Sequence, residues 1–308
     1  HIANTLGIEL NEGFCKWAKS GVRLFAKHDF FKFTLPTEIQ TTKRYHEHYI
    51  TLGAQLLRQH GKTFNYNLLG ELRTSGKTWG EFNIEGNLSL KFLTKNDTLS
   101  LGLNGYIRNE EPSFYYKHYH SRNAWWDNYD LSQMFRSSIC GTLKYKMTQL
   151  NIRLESIQNY TYFQSIATPY YNKEGIYLPL QSVGVQQSKR NIQLLSATLR
   201  QDFKWGIFNW ENELTYQISS NKTTFPLPLL NAYSNMYLKF SISKVLHTEL
   251  GADIRYFTRY KAPVYSPIIG QYCTQDNTSP IKTGNYPIIN AYVNFQIQHT
   301  RFYIMASH

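Results

Sequence analysis

Histidine supplies the first candidates for chemistry in this chain. His46 and His48, and again His118 and His120, stand two apart. In an extended strand that spacing puts both imidazoles on one face, from which a surface metal site can start. Neither pair is accompanied by a third ligand, so no metal is expected. A hydrolase would need a Ser or Asp nucleophile beside an oriented histidine. His28-Asp29 and His247 stand isolated, and no GxGxxG or Walker-type loop is present to cradle a phosphate-bearing cofactor. Cys15, Cys140 and Cys273 are odd in number and lack metal-ligand spacing, so they define no disulfide framework or zinc site. The expectation is a protein without covalent chemistry and without a cofactor.

Aromatic and charged residues offer binding instead of catalysis. Trp125-Trp126, with Phe114, Tyr115, Tyr116 and Tyr119 close by, could form a stacking platform for sugars. The plainer reading is that Trp125, Trp126, Tyr115 and Tyr116 sit at a membrane–water boundary or pack their loop down. Lys91, Lys144, Lys146, Arg153, Lys239 and Arg255 fall on the polar side of alternating segments, with Glu81, Glu85, Glu155, Glu211, Glu213 and Asp253. A wet channel lined by both signs sorts solutes by field as well as by size. The competing reading pairs these charges across strands.

Positioning such residues requires strands, and the segment from Trp79 to Arg108 shows them best. Phe82, Ile84, Gly86, Leu88, Leu90 and Phe92 alternate with Glu81, Asn83, Glu85, Asn87, Ser89 and Lys91. After a break at Thr94-Lys95-Asn96-Asp97 the alternation resumes through Leu99, Leu101, Leu103 and Ile107. Successive strand side chains point to opposite faces, so this is a hairpin with one apolar and one polar face.

The same period gives about fourteen strands, at 2–10, 19–34, 46–58, 63–73, 79–93, 97–108, 130–146, 149–163, 187–203, 207–219, 233–244, 248–260, 286–298 and 301–308. Short breaks near 59–62, 94–97, 147–148, 204–206, 245–247 and 299–300 alternate with longer connections at 35–45, 109–129, 164–186, 220–232 and 261–285. The 74–78 connection breaks that rule by being short. Short periplasmic turns and long extracellular loops are what an outer-membrane barrel shows. The fold class expected is therefore all-β, an antiparallel transmembrane β-barrel meander, with residues 1–308 as a single domain.

Composition agrees. Aromatics make up 16% of the 308 residues, too many for a disordered chain. The mean hydropathy of −0.46 looks soluble, but about half of each barrel strand faces water. No apolar run of roughly 18 residues offers a transmembrane helix. The formal net charge of +12 is spread without a run of like charges, which argues against a focused nucleic-acid surface. The opening His1-Ile2-Ala3-Asn4 lacks Met and any signal-peptide pattern, so the chain reads as processed or as part of something longer. Strand parity points the same way. With short turns periplasmic, the first strand runs down and the last runs up, so an odd number of strands is expected beyond each end, in a barrel of at least about 16.

Two segments resemble a known family. Tyr286-Pro287-Ile288-Ile289-Asn290-Ala291-Tyr292-Val293-Asn294-Phe295, continued by Arg301-Phe302-Tyr303 and His308, resembles the late hairpin of the β-barrel porins of Bacteroidota. Tyr119-His120-Ser121-Arg122-Asn123-Ala124-Trp125-Trp126-Asp127-Asn128 is similar to that family's Ser-Asn…Trp-Asp-Asn loop signature. Asn290 stands where the family usually has Asp, and Arg122 separates the Ser from the Asn. The resemblance implies an outer-membrane barrel, with lipid outside and small solutes passing inside. Two alternatives stay open: the barrel of a TonB-dependent active transporter, and a non-conducting or glycan-binding β protein.

Overall fold

The computed structural model describes residues 1–307 apart from 15–18, 40, 76–79, 95–96, 172–176 and 277–279; at 167–171 and 177–181 only the backbone is described. Cys15, Trp79, the Lys95-Asn96 tip and His308 therefore lie outside the described residues.

The strands are β1 Ile2–Leu10, β2 Gly21–Pro36, β3 Thr42–Arg58, β4 Phe64–Arg73, β5 Phe82–Leu93 and β6 Thr98–Glu110. A one-turn helix, α1 Phe114–Lys117, then leads to β7 His118–His120 and β8 Trp125–Asp127. After these come β9 Met134–Tyr145, β10 Thr148–Gln158, β11 Thr161–Tyr171, β12 Tyr177–Gln187, β13 Ile192–Trp205 and β14 Phe208–Ser219. The chain ends with β15 Leu230–Ile242, β16 Leu246–Phe257, β17 Val264–Ser266, β18 Gln271–Cys273, β19 Ile288–Ile297 and β20 Thr300–Ser307. Fourteen of them form one antiparallel meander, in the order β1-β2-β3-β4-β5-β6-β9-β10-β13-β14-β15-β16-β19-β20. The remaining strands pair two by two, β7 with β8, β11 with β12, and β17 with β18.

Register explains how so exposed a sheet holds together. Leu88 faces Leu103, Leu101 faces Leu143, Leu150 faces Leu199, and Leu199 faces Leu214, so apolar residues share one surface from strand to strand. On β4–β6, β9, β10, β13–β16 and β19 that surface carries no Asp, Glu, Lys or Arg among the described residues. Its leucines and isoleucines are nonetheless exposed, Ile84 by 54%, Leu103 by 43% and Leu154 by 52%. Such a face is stable only against hydrocarbon. Toward the periplasmic end it carries rings: Phe203, Trp205, Phe208 and Trp210 stack at 5.3–6.5 Å, an aromatic girdle at the interface level.

One polar row crosses this surface. Thr148, Gln201, Asn212 and Ser234 stand opposite one another on β10, β13, β14 and β15. Thr148 donates to Gln201 at 2.5 Å, Ser234 to Asn212 at 2.9 Å, and the Trp210 indole to Ser234 at 2.8 Å. The row satisfies its own hydrogen bonds, as polar groups must where water is scarce.

The turns differ at the two ends. Ser243 and Lys244 both take positive φ, 51° and 60°, beneath the Val245 N–H to Ile242 carbonyl bond, the backbone of a type I′ hairpin. The extracellular end departs from expectation at β2–β3. The segment 35–45 is not a long loop, because the two strands continue to a turn at 37–41 and project past the end of β4. The periplasmic connection 11–20 is in turn longer than a hairpin turn. The Glu12 carboxylate ties it to the β3–β4 turn by accepting the Gln59 and His60 N–H groups at 2.7 and 3.2 Å, which hold that carboxyl below its usual range.

Candidate functional site

The face opposite the apolar one carries the charge. Register places Glu85 against Tyr106, Lys91 against Ser100, Ser100 against Lys144, Arg153 against Cys140 and Ser196, Lys239 against Glu249, and Arg255 against Tyr233. All of these belong to the polar surface. Two of the residues singled out from sequence lie at the ends of that surface, outside the strands. Glu81 precedes β5 at the extracellular rim, 5% exposed, ion-paired with Arg73 and accepting the Glu111 N–H at 3.1 Å. Lys146 occupies the β9–β10 turn with φ 51° and reaches Asp97 at 3.7 Å.

Toward the extracellular side the wall is a lattice of opposite charges. Arg108 pairs with Glu85, Arg136 reaches Glu155 at 2.5 Å, and the Tyr106 hydroxyl donates to the same Glu155 at 3.0 Å. Lys27 pairs with Asp29 at 3.0 Å, and Asn83 donates to Glu71 at 3.0 Å. Across the sheet Asn290 donates to Asp253 at 3.1 Å, while Arg255 lies 3.6 Å from it. Gly251 has no side chain because Tyr237 and Tyr292 lie over it; a Cβ there would meet them at 2.6 and 2.7 Å. Their hydroxyls reach Glu211 and Asn235, both at 3.0 Å. Arg73 and Arg136 were missed from sequence, although alternation counted outward from Leu72 and Phe135 puts both on this face.

Above the wall the extracellular segments hold one another. The loop at 111–133 folds over the inner face of the projecting β2–β3 hairpin, where Phe114 stacks on Phe33 at 3.8 Å and is 5% exposed. Lys117 reaches Glu47 and Glu111 at 3.3 and 3.2 Å. Asp127 accepts from His118 at 2.5 Å and His120 at 3.0 Å, and His120 donates its other nitrogen to the Pro36 carbonyl at 2.8 Å. Both His120 nitrogens thus face acceptors. Burial alone would raise the Asp127 carboxyl, but the two histidine bonds outweigh it and hold it below the usual carboxylate range. The second histidine pair, His46 and His48, faces outward, stacking with Phe30 and His28. No group of three or more His, Cys, Asp or Glu side chains among the described residues is arranged to hold a metal ion.

The four aromatic residues named from sequence belong to this loop. Trp125 stacks on His120 at 3.9 Å, Trp126 on Tyr119 at 4.8 Å with its indole N–H on the Tyr115 carbonyl, and Tyr116 on Phe163 of β11 at 4.6 Å. Burial raises the Tyr116 hydroxyl and pushes that of Tyr160 up to about 12, so both stay protonated donors. The β11–β12 hairpin connects onward, since the Ser165 and Thr274 N–H groups bond Thr274 and Phe163 carbonyls at 2.8 and 2.9 Å. Tyr119 donates to the Ile268 carbonyl at 3.0 Å. Three connections and the β2–β3 tip are thereby one assembly. Cys140 and Cys273 are buried free thiols.

Solved structures share this architecture. The chain is similar to the siderophore receptor PirA of Acinetobacter baumannii, with a TM-score of 0.60 and 12% identity over 99% of this chain and 50% of that one. It is also similar to a mutant of the ferric enterobactin receptor PfeA of Pseudomonas aeruginosa in complex with enterobactin, with a TM-score of 0.62 and 13% identity over 96% of this chain and 46% of that one. It thus spans about half the length of these receptors, and at such identity the likeness is one of fold. No curated protein matches the sequence. The apolar outer face and the charged inner face fit a barrel spanning the outer membrane, which is where the family matched by this chain places it. Residues 1–308 match throughout the family described as "Putative porin", and the chain belongs to it.

Proposed function

We propose that the protein is a passive outer-membrane channel through which small solutes diffuse along the charged face. The segregation of charge by strand parity carries this reading: charge is absent from one face of ten strands and dense on the other. A wet interior has that composition, and lumen charges tune what passes. The loop at 111–133 lies over the inner face of the β2–β3 hairpin, so it narrows the extracellular mouth. Transport of this kind uses no covalent step, and the histidines serve to tether the loop.

The test is single-channel recording of the full-length protein in planar bilayers, with liposome swelling in small sugars. Steady conductance and size-limited swelling are expected. A silent bilayer together with tight binding of a ferric siderophore would replace this reading by active transport, which the barrel likeness to siderophore receptors favours as the second reading.

A further inference from the structure

Charge balance changes along the polar wall. Toward the extracellular side Arg73, Arg108 and Arg136 each meet a carboxylate. At the periplasmic end four lysines converge around one. Lys91 and Lys144 flank Ser100 in register on β5, β6 and β9, two strand spacings or roughly 10 Å apart. Lys62 is brought beside Lys91 by the Lys91 N–H to Thr63 carbonyl bond of 2.8 Å. Lys146 lies two residues beyond Lys144 and meets Asp97 at 3.7 Å. Together they line a recess of about 690 Å³, and among the described residues Lys62, Lys91 and Lys144 have no carboxylate partner.

We infer that this recess at the periplasmic mouth is a weak, exchangeable site for phosphate-type oxyanions. The lysine chemistry fits that role. Ammonium groups on flexible stems approach an anion as hydrated point charges, whereas arginine would grip it with a fixed fork. Several like charges lining one concave, solvated recess raise the local anion concentration. Conduction needs binding strong enough to admit an ion and loose enough to release it. Selectivity then resides at the periplasmic end, below a charge-balanced extracellular half. The effect on flow rests on the channel reading; occupation of the recess does not.

Two measurements separate the ideas. In planar bilayers under a KCl gradient, the full-length protein is expected to prefer chloride, and added inorganic phosphate is expected to lower chloride current. The double variant Lys91→Glu/Lys144→Glu should reverse the sign of the reversal potential and lose the phosphate effect. Lys244→Glu, in the exposed β15–β16 turn of the same side, should change neither. Independently of conductance, phosphate should slow acylation of Lys91 and Lys144, read by mass spectrometry on detergent-solubilised protein, while Lys244 reacts unchanged. Protection without conductance would keep the site and remove the channel. Conductance without protection, or a phosphate effect that survives the double variant, would overturn the site.

Discussion

The transmembrane meander and the assembly above it are built on opposite rules. In the meander the apolar residues are exposed, Leu154 by 52% and Leu250 by 47%, and polar residues turn inward. In the assembly the apolar residue is the hidden one: Phe114 is 5% exposed between Phe33 and Tyr45, with its ion pairs around it. The difference teaches where the solvent changes. Strand pairing and lipid hold the first region, whereas the second keeps its shape in water through ring stacking and a few charged hydrogen bonds.

The sharpest way to break that contrast is to put charge on the outer face. Leu88→Arg combined with Leu101→Arg should prevent assembly, since a single arginine near mid-bilayer already costs roughly 2–4 kcal/mol. Folding into lipid vesicles, followed by a heat-dependent gel shift, reads the outcome. Ser89→Arg, on the opposite face of β5 between Asn65 and Gly102, should fold normally. Equal tolerance at Leu88 and Ser89 would dissolve the assignment of faces.

The same contrast decides what was legible in the sequence. All fourteen meander strands were found, because a face against hydrocarbon and a face against water force strict alternation. What failed were positions where that pressure ends. β2 and β3 run on to Pro36 and back from Thr42 because Phe31, Phe33 and Tyr45 keep the period beyond the membrane, where an aromatic residue marks a strand only once its partner is known. The span 149–163 fused two strands, since Asn159, at φ 54°, bends the chain between β10 and β11. A cue was present in Thr161-Tyr162-Phe163-Gln164-Ser165-Ile166, which is rich in β-formers. The charges on the lumen wall were readable from parity, but their partners were not. Arg136 meets Glu155 only through the β9–β10 register. The site at Asp127 was invisible for a similar reason, because His118 and His120 lack a third group until β8 folds back on β7.

The assembly should yield to a subtraction that the meander would ignore. Phe114→Ala removes the ring packed on Phe33 and Tyr45, and about 3 kcal/mol of local docking goes with it. Barrel folding is expected to be unchanged while limited proteolysis cuts within 111–133 far faster. His120→Gln follows with a loss of about 1–3 kcal/mol, because Asp127 and the Pro36 carbonyl lose one shared donor. If the loop of His120→Gln resisted protease as the parent does, the histidine would be only a spacer under Trp125.

The smallest effect concerns protons and follows from Asp127. Its carboxyl is held lower in the docked loop than in a solvated one, by the His118 and His120 bonds that outweigh its burial. The loosened loop therefore binds the proton more readily, so acid favours release. The stabilisation is complete well above the ordinary Asp value of 3.8 and disappears as the pH falls through the lower, docked value. For a pair still reached by solvent the contribution is about 0.2–1 kcal/mol. Pepsin cutting within 111–133, corrected for the enzyme's own pH profile, should stay constant down to about pH 5 and then rise on the acid side. Asp127→Asn should cut faster at every pH and show no such rise, because nothing remains at that position to protonate. A rise of equal size in Asp127→Asn would assign the acid sensitivity to the lumen carboxylates, and with it the meander rather than the loop.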